Sequence, residues 1–369
     1  MRRMTRGLAG FGVLASVVTG CASGAGGSGG DSGGGTGKGA DKPAAAEALR
    51  VESTVRQATW TGQSGTHQLK IAPERLARGT AADLEHVQLD DDLKGMVPYY
   101  LTVRYTNTGS TGLSRPDPES QFTVALADGT PGRAISLWNS NPLATASGSS
   151  LPDGCDKAGP ASVASGGSAT VCQLVMVPKG HEAATVAYSD EGGDTLLWKV
   201  GDGKGDDGDL LPPGTTADSS SEDVTTKGEA VPIRVTPKSV RAGSLADLGD
   251  YELSDTQQKM VPWYVTIEYR NTGKRKLLPV MDDGVGVRSA GGRDVQPLSL
   301  LDLSFSRTGE GEGIDKCRGS VPNTRLQPNS TLALCTIHLL PKGDRPAMVS
   351  FEGQAGEGKK VKPLVWRAS

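Results

Sequence analysis

An internal repeat constrains the fold of this 369-residue chain more than any other feature. The stretch 95–109 (GMVPYYLTVRYTNTG) returns at 259–273 (KMVPWYVTIEYRNTG). Further matches pair the region 73–198 with the region 237–366, which is far longer than one unit of a solenoid. The chain is therefore predicted to contain two copies of one whole domain, each of ordinary single-domain size.

Within each copy, apolar residues alternate with period two, which indicates strands. One predicted face carries Tyr99, Leu101, Val103 and Tyr105, and its counterpart carries Trp263, Val265, Ile267 and Tyr269. Tyr100 and Tyr264 fall on the opposite face, which is expected to lie outside the core. The Asn-Thr-Gly triplets that follow supply turn residues, and hairpin turns are expected at 127–129 and 290–292. About seven such strands per copy predict an all-β chain of two tandem β-sandwich domains.

The amino terminus has the order of an export signal. Arg2, Arg3 and Arg6 precede an apolar segment at 8–18, which is too short to span a bilayer. Val18-Thr19-Gly20-Cys21 follows, and this run resembles the lipobox of bacterial lipoproteins. The resemblance implies that Cys21 carries a diacylglycerol and holds the protein on the outer face of the membrane. The alternative is an ordinary secretory signal with Cys21 as a free thiol, and the export route stays open between the general secretory and twin-arginine systems.

The cysteine count agrees with lipidation at Cys21. Four other cysteines remain, and they form two pairs of similar spacing, one in each copy: Cys155, Cys172, Cys317 and Cys335. In an oxidising compartment these are expected to be disulfides, and lipidation accounts for the odd cysteine.

Composition places the boundaries between the parts of the chain. We predict a signal peptide at 1–20, a lipidated cysteine with a disordered Gly/Ser-rich tether at 21–50, and a first sandwich domain at 51–200. An acidic linker rich in Gly, Asp, Ser and Thr is expected at 201–229, and a second sandwich domain at 230–369.

The signal, lipobox and glycine tract, followed by domains with a Val-x-Tyr-x-Asn-Thr-Gly strand end, resemble lipoproteins of high-GC Gram-positive bacteria. The lipoproteins of this group carry immunoglobulin-like domains, some of them classed as domains of unknown function related to secreted immunoprotective antigens. The resemblance covers both copies and implies immunoglobulin-like architecture. It brings no catalytic residue to this chain.

Reactive groups do not converge anywhere in the sequence. The four histidines (His67, His86, His181 and His338) are expected to be scattered on the surface, with His338 on the outer face of its strand. The acidic run 202–209 lacks the ligand spacing of a calcium loop and is expected to be solvated. The run 90–92 is a possible cation site, but two of its three positions are not acidic in the second copy, so a solvated loop is expected there too. We therefore predict no enzyme, no metal, no cofactor and no nucleic-acid partner.

Charge differs between the copies. Residues 51–200 hold 11 basic and 16 acidic residues, 201–229 hold 2 and 8, and 230–369 hold 20 and 15. The candidate positions for an anionic partner are Lys274, Arg275, Lys276, Lys359, Lys360 and Lys362. One hypothesis is a binding module whose basic second domain contacts a cell-wall polymer or an acidic surface protein. The other is that the acidic part docks on the basic domain as a scaffold. A core role is the main expectation for Trp60 and Trp138, and carbohydrate binding through them, were they exposed, is a further variant.

Overall fold

The computed structural model is all-β, as predicted. Its elements are antiparallel strands joined by turns and short 3-10 segments. Cys21 and Trp138 lie outside the described residues, and none of the described helical segments is long and apolar enough to cross a membrane. The described residues are 47–63, 65–84, 89–135, 155, 159–190, 192–205, 210–223, 229–299, 313–319, 324–356 and 359–368.

The first copy folds into two facing sheets. The larger has the order β1-β3-β4-β9-β7, with β2 also paired to β3, and the smaller has the order β11-β10-β6. A short β5–β8 ladder joins two loops. The strands are β1 (Glu47–Leu49), β2 (Arg56–Gly62), β3 (Gly65–Arg78), β4 (Val97–Asn107), β5 (Leu113–Ser114), β6 (Phe122–Leu126), β7 (Arg133–Ile135), β8 (Ser162–Val163), β9 (Ser168–Val177), β10 (Ala183–Ser189) and β11 (Thr195–Lys199).

The second copy repeats this arrangement, with sheets β12-β13-β14-β19 and β16-β15-β20-β21 and a short β17–β18 ladder. One difference is that β16 pairs with β15, whereas β7 of the first copy pairs with β9. The strands are β12 (Ala217–Glu222), β13 (Ala230–Ala242), β14 (Met260–Asn271), β15 (Val285–Ser289), β16 (Asp294–Val295), β17 (Gly313–Ile314), β18 (Cys317–Arg318), β19 (Thr331–Pro341), β20 (Pro346–Phe351) and β21 (Leu364–Arg367).

The repeated Asn-Thr-Gly motif has the same local role in both copies. Asn107 is fully buried, its Nδ2 donates to the Thr111 carbonyl at 2.8 Å, and its Oδ1 accepts from the Gly109 amide at 3.0 Å. Asn271 makes the equivalent pair of bonds, including 2.9 Å from the Gly273 amide. Because a buried amide needs partners for both its ends, the motif fixes the turn that leaves each central strand.

The core face of each central strand was predicted correctly, but the opposite face was not. Tyr99 and Tyr105 lie in the main core of the first domain, as expected. Tyr100 and Tyr264, expected outside the core, are buried in a second apolar cluster on the other side of the large sheet. The prediction was wrong because the loop after β3, and its counterpart after β13, fold back over this end of the sheet. The carboxylate in the loop then accepts the tyrosine hydroxyl, at 3.1 Å from Tyr100 to Asp83.

Two predicted boundaries differ from the strands. The segment 201–229, expected to be a linker, contains β12, whose polar Ser and Asp residues pair with β13 along a sheet edge. The segment 21–50, expected to be a tether, contains β1, which pairs with the end of β3. Composition hid both edge strands because β1 has only three residues and β12 is rich in Ser and Asp. The expected turns at 127–129 and 290–292 are present, with Gly129 and Gly292 at φ of 77° and 86°.

Candidate functional site

The predicted disulfides are present within each copy. Cys155 bonds to Cys172 and Cys317 bonds to Cys335, with sequence separations of 17 and 18 residues. Each bond ties a loop segment to the late strand of the large sheet, inside the second apolar cluster rather than the main core. Closing a loop of this length contributes about 3 kcal/mol in the chain-entropy model.

The six predicted basic residues lie at one end of the second domain. Lys274 to Lys276 follow the last residue of β14, and Lys359 to Lys362 follow β20. The two groups of basic residues are connected through residues of β13 and β12. The position of a Cβ on Gly273 is 3.1 Å from Pro232, which pairs with Ser220, and the Ser220 hydroxyl donates to the Gln354 carbonyl at 2.7 Å.

Acidic side chains partly neutralise this end. Arg275 forms an ion pair with Glu229, and Lys360 Nζ lies 2.9 Å from a carboxylate oxygen of Glu352. Asp282 and Asp283 precede β15 at the same end. Lys274 and Lys276 are exposed. Lys359 and Lys362 are exposed as well. The 274–276 turn therefore contributes exposed positive charge to this end of the domain.

The described histidines, which exclude His86, do not form a reactive site. His338 was expected on the surface and is instead fully buried. Its Nε2 lies 2.9 Å from Thr336 Oγ1 and its Nδ1 lies 3.2 Å from the Val295 carbonyl oxygen. Burial lowers the pKa of His338 to about 4, so the ring is neutral near pH 7. The prediction was wrong because the segment after β16 covers this edge of β19.

Four other residues singled out in the sequence make contacts within the first domain. His67 and Trp60 are buried and their rings stack at 5.7 Å, so Trp60 belongs to the core rather than to a carbohydrate platform. Asp91 and Asp92 form ion pairs with Lys94 and Arg133. Within the described parts of the chain, no group of three or more His, Cys, Asp or Glu side chains could hold a metal ion.

The two domains contact each other through equivalent hairpin turns, whereas the docking hypothesis from the sequence did not specify which elements meet. A Cβ on Gly129 would lie 2.2 Å from the Ser289 carbonyl oxygen, and a Cβ on Gly292 would lie 3.1 Å from Pro131. A second contact joins the β10–β11 and β19–β20 turns, where the Thr195 amide donates to the Lys342 carbonyl at 2.8 Å. The sequence shows that Gly129 and Gly292 are equivalent, but it does not show that their turns contact each other.

Polar side chains add to this contact. Arg288 Nη1 donates to Thr130 Oγ1 at 2.6 Å and lies 3.4 Å from Asp128 Oδ2. Arg293 Nη2 donates to Ser189 Oγ at 3.1 Å. Two arginines of the basic domain thus contact polar groups of the acidic domain.

A small cavity of about 150 Å³ lies in the first domain beside β1. Its lining mixes basic and acidic side chains, so its charge selects no class of ligand. The charged residues that line it are Glu47, Arg50, Arg78, Glu182 and Asp202.

Neither family models, nor curated proteins, nor solved structures gave a match to this chain.

Proposed function

We propose that this chain is a lipid-anchored extracytoplasmic protein that acts as a non-catalytic binding module at the cell surface. The export signal and Cys21 support the anchor, and one disulfide in each domain suits an oxidising compartment. The tandem sandwiches suit the immunoglobulin-like resemblance of the sequence. Anchoring at the amino terminus makes the first domain proximal to the membrane and the second distal.

The observation that carries the proposal is the position of the basic turn 274–276. The first domain contacts the second at the β19–β20 turn, and the start of β14 pairs with the end of β19 beside it. The basic turn follows the other end of β14, roughly 35 Å further along a strand of this length. The contact between the domains therefore leaves the basic turn uncovered. An anionic wall polymer or an acidic surface protein is the partner class that this charge attracts.

Metabolic labelling with a lipid precursor tests the anchor. Wild-type protein is expected to incorporate the label and to partition with membranes, and Cys21→Ala is expected to lose both, because the thiol is the acylated atom. A Ser28→Ala variant in the same tether is the matched control and should keep the label. An unlabelled wild-type protein would refute the anchor.

Retention on isolated cell walls tests the binding surface. At low salt we expect Lys274→Ala/Lys276→Ala to reduce retention of the full chain several-fold. We expect the difference to disappear near 1 M salt, where the screening length is about 3 Å. The control Lys238→Ala/Lys259→Ala removes two charges elsewhere on the same domain and should bind as wild type does. Equal retention of all three proteins at low salt would exclude a role for this turn.

A scaffold is the second candidate, and the contact between the hairpin turns favours it. In a scaffold, the arrangement of the two domains matters and the basic turn does not. Arg288→Ala, which removes the bonds to Thr130 and Asp128, should then change the radius of gyration by scattering without changing wall retention. If wild-type compactness and that of Arg288→Ala agree at every salt concentration, the scaffold role of this contact is excluded.

A further inference from the structure

A buried carboxyl group lies at the contact between the two domains. Asp344, in the turn between β19 and β20, is only 5% exposed. Its Oδ1 accepts hydrogen bonds from the Gly291 amide at 3.1 Å and from the Arg345 amide at 2.8 Å. Its Oδ2 makes no hydrogen bond of normal geometry, although the Ser289 hydroxyl is close enough to act on its charge. One half of the carboxyl group is thus buried without full compensation.

The first domain packs beside this group. Thr195 donates its amide to the Lys342 carbonyl, and its hydroxyl is buried without a hydrogen-bond partner. The position of a Cβ on Gly291 is 2.7 Å from Asp344 Oδ2 and 3.2 Å from Thr195 Cγ2, so the two side chains approach the same point. A Cβ on Gly343 would lie 2.2 Å from the Thr195 carbonyl oxygen, which shows how closely the turn packs against the first domain.

The charges around Asp344 do not neutralise it by direct contact. Arg293, from the turn after β15, acts on it at a distance while its guanidinium donates to Ser189 of the first domain. Lys342 and Arg345 flank it on its own turn, and Asp194 is the nearest ionisable residue in sequence to Thr195. Burial raises the pKa of Asp344 above 3.8, and the two amides, Ser289 and Arg293 offset this only in part.

We propose that the contact between the two sandwich domains is stabilised by acid, and that Asp344 is the group that loosens it as pH rises. When the contact opens, the carboxyl group regains water and its ordinary acidity. A group whose pKa is raised in the closed state stabilises that state fully below its ordinary pKa. This stabilisation is lost as pH rises through the closed-state pKa. The position equivalent to Asp344 in the first copy is His181, so this pH-sensitive carboxyl group is present in the second copy alone.

Amide hydrogen exchange of the full chain tests the proposal, because the Thr195 amide reports the contact directly. After correction for intrinsic exchange rates, its protection factor is expected to be higher at pH 4.5 than at pH 7.5. The change is at most about tenfold for each pH unit between the closed and open pKa values. The Val200 amide, bonded to the Ala184 carbonyl in the first domain, and the Leu277 amide, bonded to the Leu326 carbonyl in the second, report unfolding of each domain instead.

Asp344→Asn is the decisive variant, since it keeps the Oδ1 acceptor and cannot ionise. It should hold the Thr195 protection factor at its acid value across the whole range. Asp315→Asn, at a carboxylate whose side chain is 92% exposed, should keep the wild-type pH response. The proposal is overturned if wild type and Asp344→Asn respond alike. It is equally overturned if the Thr195 amide changes in parallel with the Val200 or the Leu277 amide, which would indicate unfolding of a whole domain.

Discussion

Trp198→Ala is expected to destabilise the first domain by about 3–5 kcal/mol, and Trp366→Ala the second by a similar amount. Both indoles are fully buried, and they occupy equivalent positions in the two main cores. Aromatic residues make up only 4% of the chain, so each indole fills a volume that small aliphatic neighbours cannot reach after truncation.

Each indole also donates one hydrogen bond to the segment that enters its domain. Trp198 Nε1 donates to the Thr54 carbonyl at 2.7 Å, and Trp366 Nε1 donates to the Thr215 carbonyl at 2.8 Å. These carbonyls belong to the segments that enter each domain. Replacement by Phe keeps much of the packing but leaves the carbonyl without its donor, which costs about 1–3 kcal/mol if water cannot replace it.

Denaturant titration at 25 °C, followed by domain-resolved hydrogen exchange, measures both losses. Trp263→Phe is the matched control, because the Trp263 Nε1 has no hydrogen-bond partner among the described residues. It should therefore cost less than Trp366→Phe in the same domain. Equal costs for the two Phe variants would show that the bond to Thr215 adds nothing to stability.

The equivalence of the two indoles was visible in the sequence because a repeat fixes equivalent positions whatever the fold. The period-two pattern likewise identified the core face of β4 and β14. The burial of Tyr100 and of His338 was not visible, because both are covered by loop segments outside their own strands. Alternation along a strand reports its two faces but not what is packed against each face.

The features of the candidate site were likewise only partly predictable from the sequence. Cysteine pairing followed from spacing and copy number, and the basic residues followed from composition. The ion pairs that these basic residues form with Glu229 and Glu352 could not be predicted, since an ion pair depends on which loops meet at one end of a sandwich. The elements that form the domain contact could not be predicted either, because Gly129 and Gly292 have the sequence pattern of ordinary hairpin residues.

Glu119 gives the second large expected effect, a loss of first-domain stability as pH rises. It lies in the 3-10 turn Pro118–Gln121, and its Oε2 is buried without a hydrogen-bond partner. Burial raises the pKa of Glu119 to about 7, and the nearby negative charge of Asp117 adds to the rise. The hydroxyl of Tyr105 is close by and also buried without a partner, so it does not stabilise the charged carboxylate.

The direction in which first-domain stability changes with pH follows from proton linkage. A carboxyl group whose pKa rises from 4.5 to about 7 on folding stabilises the domain fully below pH 4.5. That stabilisation is lost as pH rises through about 7, because the buried group must then ionise. The difference in unfolding free energy between pH 4 and pH 8 is roughly 3 kcal/mol for a shift of this size.

Glu119→Gln is expected to remove this dependence and to leave the first domain more stable than wild type at pH 8. Gln keeps the shape and cannot ionise, so the cost of burying a charge disappears. Unfolding free energies of the first domain from pH 4 to pH 8, read from exchange of its strand amides, measure the effect. Glu74→Gln, at an exposed glutamate paired with Arg104, should keep the wild-type slope. If Glu119→Gln also keeps it, the ionisation of Glu119 is not what weakens the first domain above neutral pH.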